Sequence, residues 1–142
     1  IVNKIEKIKY YKTYLNFIEI INDFAGIIIV CTIKDDIFFI RDLVKQIPDI
    51  HVLKEKDYVT NPKESGYSSY HMIVEVPVKL TQKTIYVKCE IQIRTLAMDF
   101  WASFEHKVKY KTKNDVNPKM SKELVSCAKM INKFDTKMIN YK

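Results

Sequence analysis

Glu90, Gln92 and Arg94, three side chains able to do chemistry, stand at alternate positions of one short apolar run, with Tyr86 and Lys88 before them on the same parity. Ile85, Val87, Cys89, Ile91 and Ile93 hold the other parity. Successive side chains of a strand point to opposite faces, so the alternation predicts a core face and a wall carrying a carboxylate, an amide and a guanidinium. Any half-solvated antiparallel strand shows the same pattern, so the neighbouring segments must decide.

A second carboxylate, Asp23, lies with Gly26 at the entrance of the β-branched run Ile27–Cys31. Asp23 and Glu90 on two strands could converge on a hard cation, which wants oxygen ligands and keeps waters for substrate phosphates. The segment from Lys54 to His71 supplies Lys54, Lys56 and Lys63 as phosphate partners, Tyr67 beside Gly66 as a ring for base stacking, and His71 at a strand entrance. Without chemistry they are solvated lysines and an ordinary loop aromatic.

The elements that must position these residues follow from hydropathy periods. Residues 1 to about 22 place apolar side chains at three-to-four spacing and read as mostly helical. Ile27–Cys31 reads as a central strand buried on both faces. Asp35 and Asp36 can cap a helix with the stripe Ile37, Ile40, Val44 and Ile47, ending before Pro48. A short strand near Ile50–Leu53 leads into the long loop punctuated by Pro62 and Gly66. Met72, Val74, Val76, Val78 and Leu80 alternate out of it, and Thr81–Lys83 turns the chain into the Ile85–Arg94 strand as a hairpin. Ala97, Phe100, Trp101, Phe104 and Val108 mark a following helix. Asn117 and Pro118 open a last one, whose stripe Met120, Leu124, Cys127, Ile131, Phe134, Met138 and Tyr141 packs on the sheet or pairs with another chain. Gly26 and Gly66, the only two glycines, are expected where the backbone needs freedom or close approach.

Bulk properties bound the function classes. The 142 residues, 47% hydrophobic and 29% charged, suffice for one domain with a core, and no repeat or linker divides them. Lys and Arg outnumber Asp and Glu by 24 to 17; the resulting +7 suits an anionic partner such as a nucleotide or RNA, or solubility alone. Cys31, Cys89 and Cys127 are odd in number and set in apolar runs, which argues against a disulfide framework or zinc site and fits a reducing cytoplasm. No apolar run approaches the roughly 20 residues of a membrane span, and the start lacks a signal-peptide layout.

Three segments together resemble the synthetase domain of the RelA/SpoT family, and most its small single-domain members. DFAGIIIV (23–30) is similar to the family's Asp-x-Ala-Gly-x-Arg strand. KEKDYVTNPKESGYSSYH (54–71) resembles its guanine-binding loop, and EIQIRTLAMDFWASFEHKVKYK (90–111) its Glu-x-Gln-x-Arg-Thr strand and following helix. Leu124, Ala128, Asp135 and Met138 resemble the small synthetases' C-terminal helix. The fold implied is α+β: a nucleotidyltransferase-like mixed β-sheet flanked by α-helices, spanning residues 1–142 as one synthetase domain. The activity implied is transfer of pyrophosphate from ATP to the 3′-hydroxyl of GDP or GTP, giving ppGpp or pppGpp. By motif match Asp23 and Glu90 hold Mg²⁺, with Glu90 also a base, and Tyr67 stacks on guanine. Lys54, Lys56, Lys63, His71, Gln92, Arg94, Asp99 and Glu105 line the guanine-nucleotide site, and Lys4 and Lys7 serve ATP. The resemblance further implies a cytoplasmic homotetramer with no membrane association and no stable nucleic-acid partner.

The sequence departs from the family at Ile28, where the family's strand carries Arg, and at Ser68, where many small synthetases carry Arg. The family's Arg-x-Lys ATP-binding element would fall upstream of Ile1, so the chain is expected to lack it. An impaired guanine-nucleotide-binding regulatory domain, or a family toxin that pyrophosphorylates tRNA 3′ ends, remains an alternative.

Overall fold

A computed structural model describes residues 25–113 and 115–141. Strand β1 spans Ala25–Cys31, helix α1 Lys34–Gln46, strand β2 His51–Asp57, β3 Tyr70–Lys79 and β4 Thr84–Thr95. Helix α2 spans Leu96–Lys111 and α3 Pro118–Met138, followed by a short 3-10 helix, Ile139–Tyr141. The strands lie in the order β1-β4-β3-β2; β1 runs parallel to β4 and the other pairs are antiparallel, giving the mixed α+β sheet expected. Parallel partners need a long connection. Here α1 carries the chain from one edge to the other, and the β3–β4 hairpin fills the space between.

The core lies between α1 and one face of the sheet. Ile37 and Val44 of α1 pack with Met72 and Val74 of β3 and Cys89, Ile91 and Ile93 of β4, as the period-two and period-3.6 patterns require. Ile47 adopts an extended backbone before Pro48 and stops α1. The N-cap is Ile33, with no side-chain cap bond; Asp35 and Asp36 sit in the first turn instead, where their charge is favourable to the positive end of the helix dipole.

Four other expectations are corrected. β1 is an edge among the described strands, and Ile27 and Ile28 are about half exposed. Its β-branched run signals two-sided burial, but within the described residues only Ile29 and Cys31 join the core. β2 runs on to Asp57, so Lys54 and Lys56 are strand residues and the loop shortens to 58–69. On α2, Met98 and Trp101 are buried while Phe100 and Phe104 are exposed, because the helix leans on α3 through a narrow strip. On α3 only Leu124 of the apolar stripe is fully buried; a carboxylate, Asp135, joins it, because that face meets α2 and the loop rather than the sheet. Lys4, Lys7, Asp23 and the expected first helix lie outside the described residues. Among the described residues no helix is long and apolar enough to cross a membrane.

Candidate active site

Residues paired across neighbouring strands share a face, so the register assembles the wall. Ile28, Gln92, His71 and Lys56 form one row across all four strands; Gly26, Glu90, Ile73 and Lys54 form the next. Arg94 continues β4 on the same face opposite Val30. This is the face away from α1, and the loop 58–69 folds over its upper end.

The loop reaches the wall through Tyr67. Its hydroxyl lies 2.9 Å from His71 Nε2 and 3.3 Å from Gln92 Oε1, and His71 Nδ1 lies 3.0 Å from Glu90 Oε1. Burial depresses the His71 pKa below its ordinary value, against the opposing pull of Glu90, so the ring is neutral near pH 7. Beside the Glu90 carboxylate, a neutral ring that donates through Nδ1 satisfies the bond to it. Nε2 then accepts from Tyr67, whose phenol burial keeps protonated. A phenol, an imidazole and a carboxylate thus form one directed line, with the carboxylate side chain still about one-third exposed.

Around that line sit the cations. Arg94 is buried; it donates through Nη2 to Gln92 Oε1, its Nη1 lies 3.4 Å from Asp99 Oδ1, and its guanidinium carbon is 5.9 Å from the Tyr67 ring centre. Lys63 Nζ lies 5.0 Å from the centre of the Tyr67 ring and 4.8 Å from that of Tyr58. Cations held over aromatic rings are the arrangement from which a base can stack and phosphates can pair.

Gly66 makes this loop path possible. Its φ is +91°, and a Cβ there would lie 2.4 Å from Ala128 Cβ of α3, so the residue meets both needs expected of it. At Gly26 φ lies outside the left-handed region, and among the described residues nothing lies within 4 Å of where a Cβ would stand. Behind the loop, away from Glu90, a cavity of about 220 Å³ is lined by Gly66, Ser68, Met98, Trp101, Val125 and Ala128 and takes no part in the wall.

The expected residues Lys63, Tyr67, His71, Glu90, Gln92, Arg94 and Asp99 therefore come together. Lys56 stands beside His71 but on the outermost strand; Lys54 is two strands from Glu90, about 10 Å by strand spacing. Glu105 is bound to Lys109 at 2.7 Å, one turn along α2. Sequence reading missed Tyr58, whose ring meets both Tyr67 and His71 edge-on, and Thr95, whose hydroxyl accepts from Met98 N and caps α2. A threonine just before an apolar helical pattern was signal enough for the second; nothing local marks the first.

A mixed α+β sheet that offers an imidazole-backed carboxylate beside cation-covered rings is chemically suited to a phosphorylated, ring-bearing ligand. The chain belongs to the RelA/SpoT family: residues 1–115 match the family described as "Region found in RelA / SpoT proteins". It is 45% identical over 142 residues to the GTP pyrophosphokinase YwaC of Bacillus subtilis (strain 168), covering all of this chain and 68% of that protein. The crystal structure of small alarmone synthetase 2 from Bacillus subtilis superposes with a TM-score of 0.86 at 44% identity, over 99% of this chain and 73% of that one. Small alarmone synthetase 1 from the same organism, bound to its product pppGpp, gives 0.83 at 35% identity over 96% and 71%.

Proposed function

We propose that this chain is a GTP pyrophosphokinase that transfers pyrophosphate from ATP to the ribose 3′-hydroxyl of GDP or GTP, releasing AMP and making ppGpp or pppGpp for the stringent response. The observation that carries the reading is the Tyr67–His71–Glu90 line, which ties the ring for the guanine base to the carboxylate for the hydroxyl. The base stacks on Tyr67; Lys63 swings from the two rings to the acceptor phosphates, with Lys54 and Lys56 adding positive charge along β2. Gln92, Arg94, Asp99 and Glu105 border the guanosine.

His71 holds Glu90 in place through Nδ1–H, and Glu90 takes the 3′-hydroxyl proton as that oxygen attacks the β-phosphorus of ATP and the bond to AMP breaks. Oriented reactants and charge neutralisation supply most of the rate in such transfers. The donor set fits Mg²⁺: a partly exposed carboxylate offers hard oxygens, and this ion keeps waters and substrate phosphates as its other ligands. Glu90 and Asp23 would hold it, Lys4 and Lys7 would serve ATP, and the ion would neutralise the transferred phosphates. The described residues include no group of three or more His, Cys, Asp or Glu able to hold a metal.

Residues 1–142 act in this reading as one synthetase domain, supported by the single sheet and core. A cytoplasmic homotetramer fits the free cysteines and the exposed Leu96, Phe100 and Phe104 of α2 and Met130 and Phe134 of α3. Ile28 on the wall favours a second reading, a domain that binds guanine nucleotide without turnover. Chromatography of a reaction with labelled ATP, Mg²⁺ and GDP or GTP decides between them. Labelled ppGpp or pppGpp that disappears in Glu90→Gln supports the enzyme, whereas bound GTP with no AMP produced supports the second reading.

A further inference from the structure

Helix α3 lies beyond the residues that match the family, 1–115, yet one of its faces grips α2, the loop 58–69 and the start of α1. Trp101 Nε1 donates to Leu124 O at 3.0 Å, Gly66 packs on Ala128, and Lys34 Nζ donates to Asn132 Oδ1 at 2.8 Å. The fourth contact is of another kind. Asp135, 2% exposed, accepts a 2.6 Å hydrogen bond from Thr95 Oγ1, which is itself fully buried.

Thr95 is the hinge between β4 and α2, directly after Arg94 and four residues before Asp99. A hydroxyl has one proton. With that proton given to Asp135, the oxygen's lone pairs point to Met98 N, 3.1 Å away, and cap the helix. The carboxylate therefore fixes both the rotamer of Thr95 and the direction in which its hydroxyl is polarised. Burial raises the pKa of Asp135, with only the Thr95 bond and the charge of Lys34 opposing it. An apolar residue would fill the position at lower electrostatic cost, so stability alone does not account for an acid here.

We propose that Asp135 is a positioning residue for the acceptor site: through Thr95 it sets the β4–α2 corner that holds Arg94 against Asp99 and beside the Tyr67 ring. This rests on the reading of the wall as the guanosine-nucleotide acceptor site. α3 then contributes to catalysis without touching a substrate, by fixing the angle at which α2 leaves the wall.

Titration of a fluorescent GDP analogue into the full chain, alongside steady-state kinetics, tests it. Asp135→Ala and Thr95→Val each weaken GDP and raise its KM about tenfold with kcat little changed, the scale of a lost cap. The double variant loses no more than either single one, and Thr95→Ser, which keeps the hydroxyl, binds as the starting chain does. Trp101, the only tryptophan, bonds to α3, so its emission reports α2–α3 docking and shows which variants remain assembled; Thr95→Val, which keeps the side-chain volume, carries the test if the alanine variant does not fold. Unchanged GDP affinity in assembled Asp135→Ala and Thr95→Val, or additive losses in the double variant, would overturn the proposal. A starting chain that does not bind GDP at all would overturn the acceptor reading and this proposal with it.

Discussion

On the sheet face away from α1, β3 and β4 present His71, Glu90, Gln92 and Arg94 in one hydrogen-bonded network, whereas β1, one strand away, presents Gly26, Ile28 and Val30. Both regions belong to one sheet and share a register, yet one is polar and pre-set and the other offers no charge. The contrast teaches where the energy of recognition resides. The β3–β4 side is ordered by its own contacts, so little is spent on arranging it when a ligand arrives. Among the described residues, β1 adds no cation to the wall, and Ile28 stands in line with Gln92 and His71, at the position where the motif resemblance implies Arg.

The largest effect should come from breaking the polar region at its centre. Glu90→Gln keeps the shape but removes the base, and a loss of about 10² to 10⁴ in kcat is expected with GDP binding nearly retained. Single-turnover rates beside equilibrium binding check it; a parallel loss of binding would show that Glu90 orders the site rather than accepting the proton. Tyr67→Ala removes the stacking ring and should weaken GDP by about 1–3 kcal/mol while leaving ATP unaffected, as read by calorimetric titration of each nucleotide.

Gly66→Ala attacks the support instead of the wall. The strained φ and the clash with Ala128 should cost about 1–3 kcal/mol of stability, visible as a lower melting temperature. Reversing the contrast at β1 is a gain-of-function test: Ile28→Arg should raise kcat/KM for ATP about tenfold, the size of one charged hydrogen bond, with the GDP KM unchanged. An effect confined to GDP would place Ile28 on the acceptor side.

The smallest expected effect is on pH. The folded pKa of His71 lies below the ordinary 6.5 because the ring is buried, so the unfolded chain takes up the proton first as pH falls. Stability from this group is thus full above about 6.5 and declines below it, by no more than about 1.4 kcal/mol at pH 5.5. Melting curves of the starting chain and His71→Gln across that range isolate the contribution; parallel curves would remove His71 from the titration.

What the sequence made legible follows the same division. The β4 wall was readable because period two leaves no freedom: with Cys89, Ile91 and Ile93 in the core, Glu90, Gln92 and Arg94 must share the other face. The β3–β4 hairpin and α1 were equally constrained by their apolar periods. Legibility failed where a side chain's environment is set by a distant element. Asp135 reads as a solvated helix charge until Thr95, 40 residues earlier, is brought against it. Phe100 and Phe104 carry the hydropathy of a buried stripe, but α3 covers only the Met98 and Trp101 strip beside them. The run Ile27–Val30 signals two-sided burial by composition, while strand order, which composition does not encode, puts it at the edge of the described sheet.

One measurement bears most directly on the claim that a guanosine acceptor sits on the Tyr67–His71–Glu90 line. Calorimetric titration of GDP into the purified chain, repeated with Tyr67→Ala, should show saturable binding in the first and a loss of at least about fivefold in the second, the lower bound for one stacked base. Equal GDP affinity in both would contradict the account.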